Sequence, residues 1–208
     1  LTSIKNSNEL LLVNKLSVDK KNLLLKNMQK DIETINQLIT DISSYTLTQL
    51  EIEDELFYIF NLVDFVKEFL QSYLSNNKKI KINFEPEKKD IKIFANKNKL
   101  AQVFINLIDN SFSYSPENSE ILISIKIINS EVAVYFADQG VGIPNRLKDK
   151  VFERFYTERP SEQDKHSGLG LSISKKIIES FYGSLELSSV EFKQYLGACF
   201  EMRFPLKE

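Results

Sequence analysis

The first 50 residues contain neither glycine nor proline, and this absence limits the fold of the chain more than any other feature of its sequence. A segment without helix breakers favours long helices. In its second half the apolar residues recur at alternating steps of three and four, the spacing of a heptad seam: Leu25, Met28, Ile32, Ile35, Ile39 and Ile42. Leu1, Ile4 and Leu11 fit the same spacing in the first half. We therefore predict two helices, with Ser17 or Asp19 capping the second.

A two-helix hairpin of this kind has too little buried area to be stable alone. Pairing two copies into a four-helix bundle would bury both seams, so we predict that residues 1–52 form a homodimer. The alternative is that the hairpin packs on the rest of the same chain.

Residues 53–208 mix short alternating segments with amphipathic ones, which is typical of an α+β domain. Strands are predicted at 57–60, 79–85, 90–96, 120–128 and 131–138, and at two places that flank 191–194; helices are predicted at 62–74, 97–114 and 170–182. The "NSE" sequence at 129–131 predicts a hairpin turn. We expect an α/β sandwich in which a mixed sheet is covered by helices.

The composition excludes some classes of protein. The 27 basic and 29 acidic side chains nearly cancel, which argues against a nucleic-acid-binding protein. The single cysteine, Cys199, cannot form an internal disulfide, so a reducing compartment is the simplest interpretation. No segment approaches the roughly 18 apolar residues of a membrane span. Because the chain opens on Leu1 rather than methionine, we expect it to be a piece of a longer protein.

The predicted helix 97–114 carries a polar stripe beside its apolar face. Gln102, Asn106, Asn110 and Ser113 follow one another at steps of four, four and three. Asparagine is a poor helix former, and a plain solvent face would more often use Lys or Glu. The amide oxygens of Asn106 and Asn110, one turn apart, could bind a hard cation or a phosphate-bound water. Taken alone, the stripe would be no more than a solvated face.

Two glycine-containing loops follow. In "DQGVGIP", Asp138 ends a strand-like run, and Gly140 and Gly142 allow close backbone approach or positive φ. Such a carboxylate can accept a hydrogen bond from an exocyclic amine such as that of adenine, although Asp-x-Gly also marks ordinary turns. In "HSGLGLSI", Gly168 and Gly170 precede an amphipathic helix, whose N-terminal N–H groups can bind an anion or simply cap the helix. These two loops hold four of the six glycines, which favours a ligand.

Four segments in order resemble the sequence boxes of sensor histidine kinases. "QVFINLIDNSFSYS" resembles the N box, "DQGVGIP" the first glycine box, "FERFY" (152–156) the F box and "HSGLGLSI" the second glycine box. The hairpin resembles the dimerisation and histidine-phosphotransfer domain of that family. The resemblance implies a Bergerat-type ATP-binding fold for residues 53–208.

The resemblance also implies an ATP site with Mg²⁺. Asn110 is implied as the Mg²⁺ ligand with help from Asn106, and Asp138 as the acceptor for the adenine amino group. The other implied ATP-binding residues are Tyr114, Gly140, Gly142, Ile143, Arg154, Ser167, Gly168, Leu169 and Gly170. Residues 156–167 are implied to form a mobile lid over ATP. His166 replaces a glycine that is common in the family, so we interpret it as a bystander or a weak phosphate contact.

Two positions depart from the family pattern. Ser113 stands where the family often has Lys or Arg, and Thr157 follows Tyr156 where the F box often ends in Arg. Arg159 or Lys165 could supply the missing charge; otherwise nucleotide binding is weakened.

Asn106 has a mechanistic implication. Related ATPases, such as gyrases and mismatch-repair proteins, place a glutamate four residues before the magnesium asparagine as a base for water. An amide cannot usefully accept a proton near neutral pH. The site is therefore expected to hold ATP and Mg²⁺ without rapid hydrolysis and to leave the γ-phosphoryl group for another nucleophile.

In this family that nucleophile is a histidine in a run resembling His-Glu-Leu-Lys-Asn-Pro-Leu-Thr-Ser-Ile. The chain opens on "LTSI", so the phosphoacceptor is expected just upstream of Leu1, and this chain is not expected to phosphorylate itself. The implied protein is a homodimeric kinase core that passes the phosphoryl group to an aspartate of a response-regulator receiver domain. It is expected to be the cytoplasmic portion of a bacterial inner-membrane sensor. The alternatives are an ATPase that does conformational work and a non-catalytic module that docks a regulator.

Overall fold

A computed structural model of the chain describes residues 17, 19–29, 31–32, 56–77, 80–157 and 168–207. Contacts between residues divide the chain into two compact units. One comprises residues 1–47 with 157–167, and the other comprises residues 48–156 with 168–208.

The described part of the first unit is mainly helical. Residues 19–29 and 31–32 are helical. Ser17 caps this helix as predicted, because the Lys20 N–H donates to Ser17 Oγ at 3.4 Å and the Lys21 N–H donates to the Ser17 carbonyl at 3.0 Å. The first predicted helix and most of the heptad seam lie outside the described residues, so the four-helix bundle stays a prediction.

The second unit contains seven described strands and three described α-helices. They are β1 (Tyr58–Asn61), α1 (Leu62–Asn76), β2 (Lys81–Pro86), β3 (Lys92–Ala95), α2 (Lys97–Tyr114), β4 (Glu120–Ile128), β5 (Glu131–Ala137), α3 (Gly170–Ser180), β6 (Ser184–Leu187) and β7 (Cys199–Pro205). Two short 3₁₀ turns, Asn145–Leu147 and Lys150–Phe152, follow β5.

The main sheet has five strands in the order β2–β4–β5–β7–β6, and β1 pairs with β3 in a separate antiparallel ribbon. The β2–β4 pair is parallel and the other three pairs are antiparallel, so the predicted mixed sheet is confirmed. At the β4–β5 hairpin, Asn129 and Ser130 both have positive φ, as a two-residue turn of the favoured hand requires.

The two faces of this sheet are covered differently. Helix α2 packs on one face, where the rings of Phe104 and Phe136 meet edge to face with centroids 4.8 Å apart. The opposite face carries a smaller apolar cluster: Leu122, Ala133, Tyr135, Ala137, Tyr195 and Cys199. Tyr195 comes from the β6–β7 connection, residues 188–198, which we call the strap. Because both faces are covered, β4 and β5 are apolar along most of their length.

Helix ends differ slightly from prediction at α3. The helix ends at Ser180 rather than Tyr182 because Tyr182 takes the left-handed conformation with φ 59°. The Tyr182 N–H donates to the Glu179 carbonyl, and the Gly183 N–H donates to the Ile178 carbonyl, each at 3.0 Å, which completes a Schellman cap. Gly183 is needed because its Cα lies against the Arg203 carbonyl, where a Cβ would collide.

No helix within the described ranges is both long enough and apolar enough to cross a membrane.

Candidate functional site

Asp138 follows β5 directly, and its buried carboxylate is held by two backbone groups. The Gly140 N–H and the Ala198 N–H both donate to Oδ1, at 2.9 and 2.8 Å. The side chain is only 2% exposed. Because both N–H groups bond to Oδ1, Oδ2 keeps lone pairs for a further donor, as an acceptor for an exocyclic amine requires.

The environment of Asp138 makes its carboxyl harder to ionise than an exposed one. Burial raises the pKa of the carboxyl above its ordinary value, and this effect exceeds the lowering by the N–H groups of Gly140 and Ala198 and by the Ser111 hydroxyl. A desolvated carboxylate gains more than an exposed one from a new hydrogen-bond donor, so the site is suited to bind one.

Gly197 is a site residue that the sequence analysis missed. A Cβ at this position would collide with Asp138 Oδ1 and with the Gly140 nitrogen. The Gly197 N–H also donates to the Asp138 carbonyl at 2.9 Å. The available signal was a lone glycine directly before the last apolar strand, a pattern that indicates close backbone approach.

The predicted glycines of the first loop have separate roles. Gly140 lies against the Tyr114 carbonyl, where a Cβ would come within 2.7 Å of the oxygen. Gly142 has φ +73°, a conformation that favours glycine. The loop therefore packs on the C-terminal end of α2, which carries the predicted residues Asn106, Asn110 and Tyr114.

Asn106 joins α2 to the start of α3. Its Nδ2 donates to the Gly170 carbonyl at 3.3 Å and to Ser174 Oγ at 3.2 Å. A carboxylate could not donate to that carbonyl, so the contact explains why an amide occupies the position. The amide oxygen remains available to a ligand between the two helices.

Replacing Asn106 with aspartate is expected to lower the free energy of unfolding by about 1 to 2 kcal/mol, because the Gly170 carbonyl then faces a carboxylate. Urea denaturation of the nucleotide-free chain measures this change. The matched control is Asn110→Asp, the same replacement one turn along. The side chain of Asn110 makes no hydrogen bond to a described residue, so its variant should change stability by no more than about 0.5 kcal/mol. Equal losses in the two variants would contradict a structural role for the Asn106 amide.

The N-terminus of α3 presents the backbone N–H groups of a helical first turn. Leu169 is the N-cap residue, and no side chain from the described part of the chain caps the helix. Gly168, just before it, has φ +70° and packs on the backbone of Phe155 and Tyr156, and the Phe155 N–H donates to the Gly168 carbonyl at 3.0 Å. The F box and the second glycine box are thus in direct contact, and the donors of α3 remain available for an anion.

Ser111 is the second residue that the sequence analysis missed. It lies on the apolar side of α2 and is 1% exposed, yet its hydroxyl has no hydrogen-bond partner among the described residues. The same hydroxyl is directed toward Asp138 and lowers the pKa of that carboxyl, although the contact falls short of the geometry of a full hydrogen bond, so the hydroxyl lies beside the carboxylate. An unpartnered buried hydroxyl next to a buried carboxylate is expected where a polar ligand or a water completes the hydrogen bonding. A serine on an otherwise apolar helix face was the available signal.

These features fit ATP with Mg²⁺. Asp138 and Ser111 supply polar groups for a base, and α3 supplies N–H groups for phosphate. No group of three His, Cys, Asp or Glu side chains in the described ranges could hold a metal. Mg²⁺ does not need such a group, because it commonly takes one or two protein oxygens together with substrate phosphates and water. The half-buried amide of Asn110 suits that arrangement.

The remaining predicted residues differ in how far they are buried, and some of them are not described by the structure. Ile143 is half-buried, Arg154 is exposed, and Leu169 is buried at 2%, so Leu169 can contribute only its backbone. Ser167 and His166 lie outside the described residues, as do Arg159, Lys165 and the rest of the predicted lid from residue 158 onward.

The fold and this site together define an ATP-binding domain of the type that the four boxes predicted. The family model described as "Histidine kinase-, DNA gyrase B-, and HSP90-like ATPase" matches residues 95–208. The chain belongs to this family.

Its relatives include histidine kinases and proteins named as sensors, which confirms the resemblance. Sensor protein ChvG of Rhizobium meliloti is 30% identical over 218 residues, which cover 99% of this chain and 38% of ChvG. Histidine kinase P4 of Formosa agariphila is 34% identical over 153 residues, which cover 70% of this chain and 11% of that protein. The chain therefore spans well under half of the length of either relative.

A solved structure extends the likeness. The crystal structure of histidine kinase ThkA in complex with response regulator protein TrrA matches with a TM-score of 0.71 and 26% identity. The match covers 99% of this chain and 59% of that chain.

Proposed function

We propose that this chain is the kinase core of a sensor histidine kinase that binds ATP with Mg²⁺ and delivers the γ-phosphoryl group to a histidine. The observation that carries the proposal is the buried Asp138 carboxylate, whose Oδ1 is held by two N–H groups while Oδ2 keeps lone pairs for an amine. Membership of the ATPase family supports ATP as the nucleotide.

The chain's own residues divide the work of holding the nucleotide. Asp138 accepts from the base amine, beside the buried hydroxyl of Ser111. The N–H groups at the start of α3 bind phosphate oxygens, aided by the helix dipole. Asn110 holds Mg²⁺ through its amide oxygen, with Asn106 one turn before it. When bound, Mg²⁺ supplies neutralisation of charge on the phosphates.

The site is suited to transfer rather than to hydrolysis. Asn106 cannot act as a base for water, and its amide nitrogen is already committed to Gly170 and Ser174. Catalysis then consists mainly of positioning and charge neutralisation, which favours a nucleophile brought in by another part of the protein. We place that nucleophile, a histidine, upstream of Leu1. The next acceptor is an aspartate of a response-regulator receiver domain, supported by the likeness to ThkA bound to TrrA.

The rest of the proposal concerns the parent protein. Residues 1–52 form the dimerisation and phosphotransfer hairpin and pair with a second copy, while residues 53–208 form the catalytic domain. The parent is a bacterial inner-membrane sensor with this chain on its cytoplasmic side. The relation to proteins named as sensors, of whose length the chain spans only part, supports this.

Two measurements test the proposal. The 208-residue chain should bind ATP, and Mg²⁺ should tighten binding. Asn110→Ala should lose about tenfold or more of the affinity in Mg²⁺ and little without it. Asn145→Ala, which changes an exposed asparagine, is the matched control. The parent protein should acquire acid-labile phosphate from ATP.

Absence of ATP binding, or phosphate that survives acid, would overturn the proposed kinase. Rapid steady-state hydrolysis by the chain would instead favour an ATPase that does conformational work. Binding of a regulator without any ATP binding would favour the docking module.

A further inference from the structure

The strap, residues 188–198, covers the sheet face opposite α2. Tyr195 is 7% exposed and packs in the cluster with Leu122, Tyr135 and Cys199, and Phe192 packs against the same cluster. The rings of Phe192 and Tyr135 meet with centroids 5.6 Å apart, and Lys126 Nζ lies over both rings. The strap is therefore a packed part of the domain rather than a free loop.

The C-terminal end of the strap makes three hydrogen bonds with Asp138. The Asp138 N–H donates to the Ala198 carbonyl at 3.0 Å, and the Gly197 N–H donates to the Asp138 carbonyl at 2.9 Å. The Ala198 N–H donates to Asp138 Oδ1 at 2.8 Å. The direction of the carboxylate therefore depends on where residues 197 and 198 lie.

The side chains of Tyr195 and Gln139 attach the strap to the beginning of β4, next to residues 197 and 198. Tyr195 Oη donates to Glu120 Oε2 at 3.0 Å, at the beginning of β4. The Gln139 amide spans the same corner: its Oε1 accepts from the Glu120 N–H at 2.9 Å, and its Nε2 donates to the Gln194 carbonyl at 3.0 Å. Gln139 directly follows Asp138, so β4, the strap and the carboxylate are linked by one set of hydrogen bonds.

We propose that the strap is a positioning element for base recognition, in which Tyr195 and Gln139 act through Asp138 by holding Gly197 and Ala198 in place. The inference rests on the proposed function, since it concerns the same nucleotide site. A carboxylate that is already oriented binds the base amine without losing further freedom, whereas a loosened one must be ordered at each binding event. Neither Tyr195 nor Gln139 needs to touch the nucleotide.

The test compares ATP with purine riboside triphosphate, which lacks the 6-amino group. Tyr195→Phe keeps the packed ring and removes its hydroxyl, together with the bond to Glu120 and the interaction with Asn83. It should weaken ATP binding about 3- to 10-fold, the effect of one hydrogen bond, and leave the analogue unchanged. Gln139→Leu should act in the same direction. The matched control is Tyr135→Phe, which removes a 3.0 Å bond to Glu201 from the same cluster. Both nucleotides should bind that variant within about twofold of wild type.

The outcomes distinguish failure of the positioning role from failure of the proposed function. If wild type binds ATP and Asp138→Asn loses it, but Tyr195→Phe and Gln139→Leu keep the wild-type ratio of the two affinities, the positioning role is wrong and the proposed function stands. Equal weakening of both nucleotides likewise overturns it, because it indicates a general loss of structure. If wild type does not bind ATP at all, both proposals fail.

Discussion

Replacing Gly197 with alanine is expected to abolish detectable ATP binding and to lower the free energy of unfolding by about 3 kcal/mol, near the upper end for an overpacked site. The new methyl group would collide with Asp138 Oδ1 and with the Gly140 nitrogen. The nitrogen belongs to the backbone, and Oδ1 is held in place by the N–H groups of Gly140 and Ala198. Relief requires the strap and the 138–142 loop to separate. That movement breaks the bonds from Ala198 and Gly140 that orient the carboxylate.

Urea denaturation and nucleotide titration of the 208-residue chain measure the two effects. Gly170→Ala is the stability control, because its Cβ would meet only the Asn106 side chain, no closer than 3.7 Å, an ordinary contact at a helical position. Its stability should match or slightly exceed that of wild type, since alanine is the better helix former. A Gly197→Ala variant as stable as Gly170→Ala, with ATP affinity intact, would show that the close contact is not required.

Replacing Asp138 with asparagine is expected to weaken ATP binding about 10- to 100-fold while leaving the fold intact. The asparagine Oδ1 can still accept from Gly140 and Ala198, so the loop keeps its geometry. What is lost is the second carboxylate oxygen, because the Nδ2 group that replaces it is a donor and repels an amine. Isothermal titration with ATP measures the loss, and the amine-free analogue should lose much less. Equal losses for the two nucleotides would argue against recognition of the amine.

The Asp138→Asn variant should also differ from wild type in how its free energy of unfolding depends on pH. Burial raises the pKa of Asp138 in the folded chain, so between the ordinary carboxyl pKa and the raised one the folded state binds more protons than the unfolded state. The wild-type carboxyl therefore costs stability progressively as pH rises through that window. The variant lacks this loss, so its stability relative to wild type should increase from acidic to neutral pH. The nearby Cys199 thiol does not contribute, because burial raises its pKa to about 12.

Most of the ATP-binding domain was predictable because its elements have clear periods. The helix Lys97–Tyr114 begins and ends at the predicted residues, since Asn96 caps it through a bond from the Lys99 N–H and its apolar residues form one continuous face. The strands Glu120–Ile128 and Glu131–Ala137 were predictable from alternation and from a two-residue turn of suitable type. Asp138 was predictable as a strand-end carboxylate beside glycines.

The missed features depend on contacts between residues far apart in the chain. The role of Gly197 comes from its approach to Asp138. That approach depends on the pairing of β7 with β5, which no local sequence pattern predicts. Ser111 is informative only when its burial and missing partner are known. The Asn106 amide was interpreted through its oxygen, whereas the structure shows its nitrogen bonded to Gly170 and Ser174. Local periodicity predicts elements, but it does not identify which residues far apart in the chain come into contact.

The pairing of Asp138 with residues of the strap also bears on the order of events during biosynthesis. Asp138 and Ala198 are 60 residues apart, and Ala198 leads directly into β7. At the usual translation rate of about 5–20 residues per second, roughly 3 to 12 s pass between synthesis of the carboxylate and of the groups that orient it. A ribosome-bound chain from which α2 and Asp138 have emerged, but β7 has not, therefore contains the proposed nucleotide-binding side chains without the contacts that orient Asp138. The nascent chain can complete the proposed nucleotide site only when the strap has emerged and closed against the sheet.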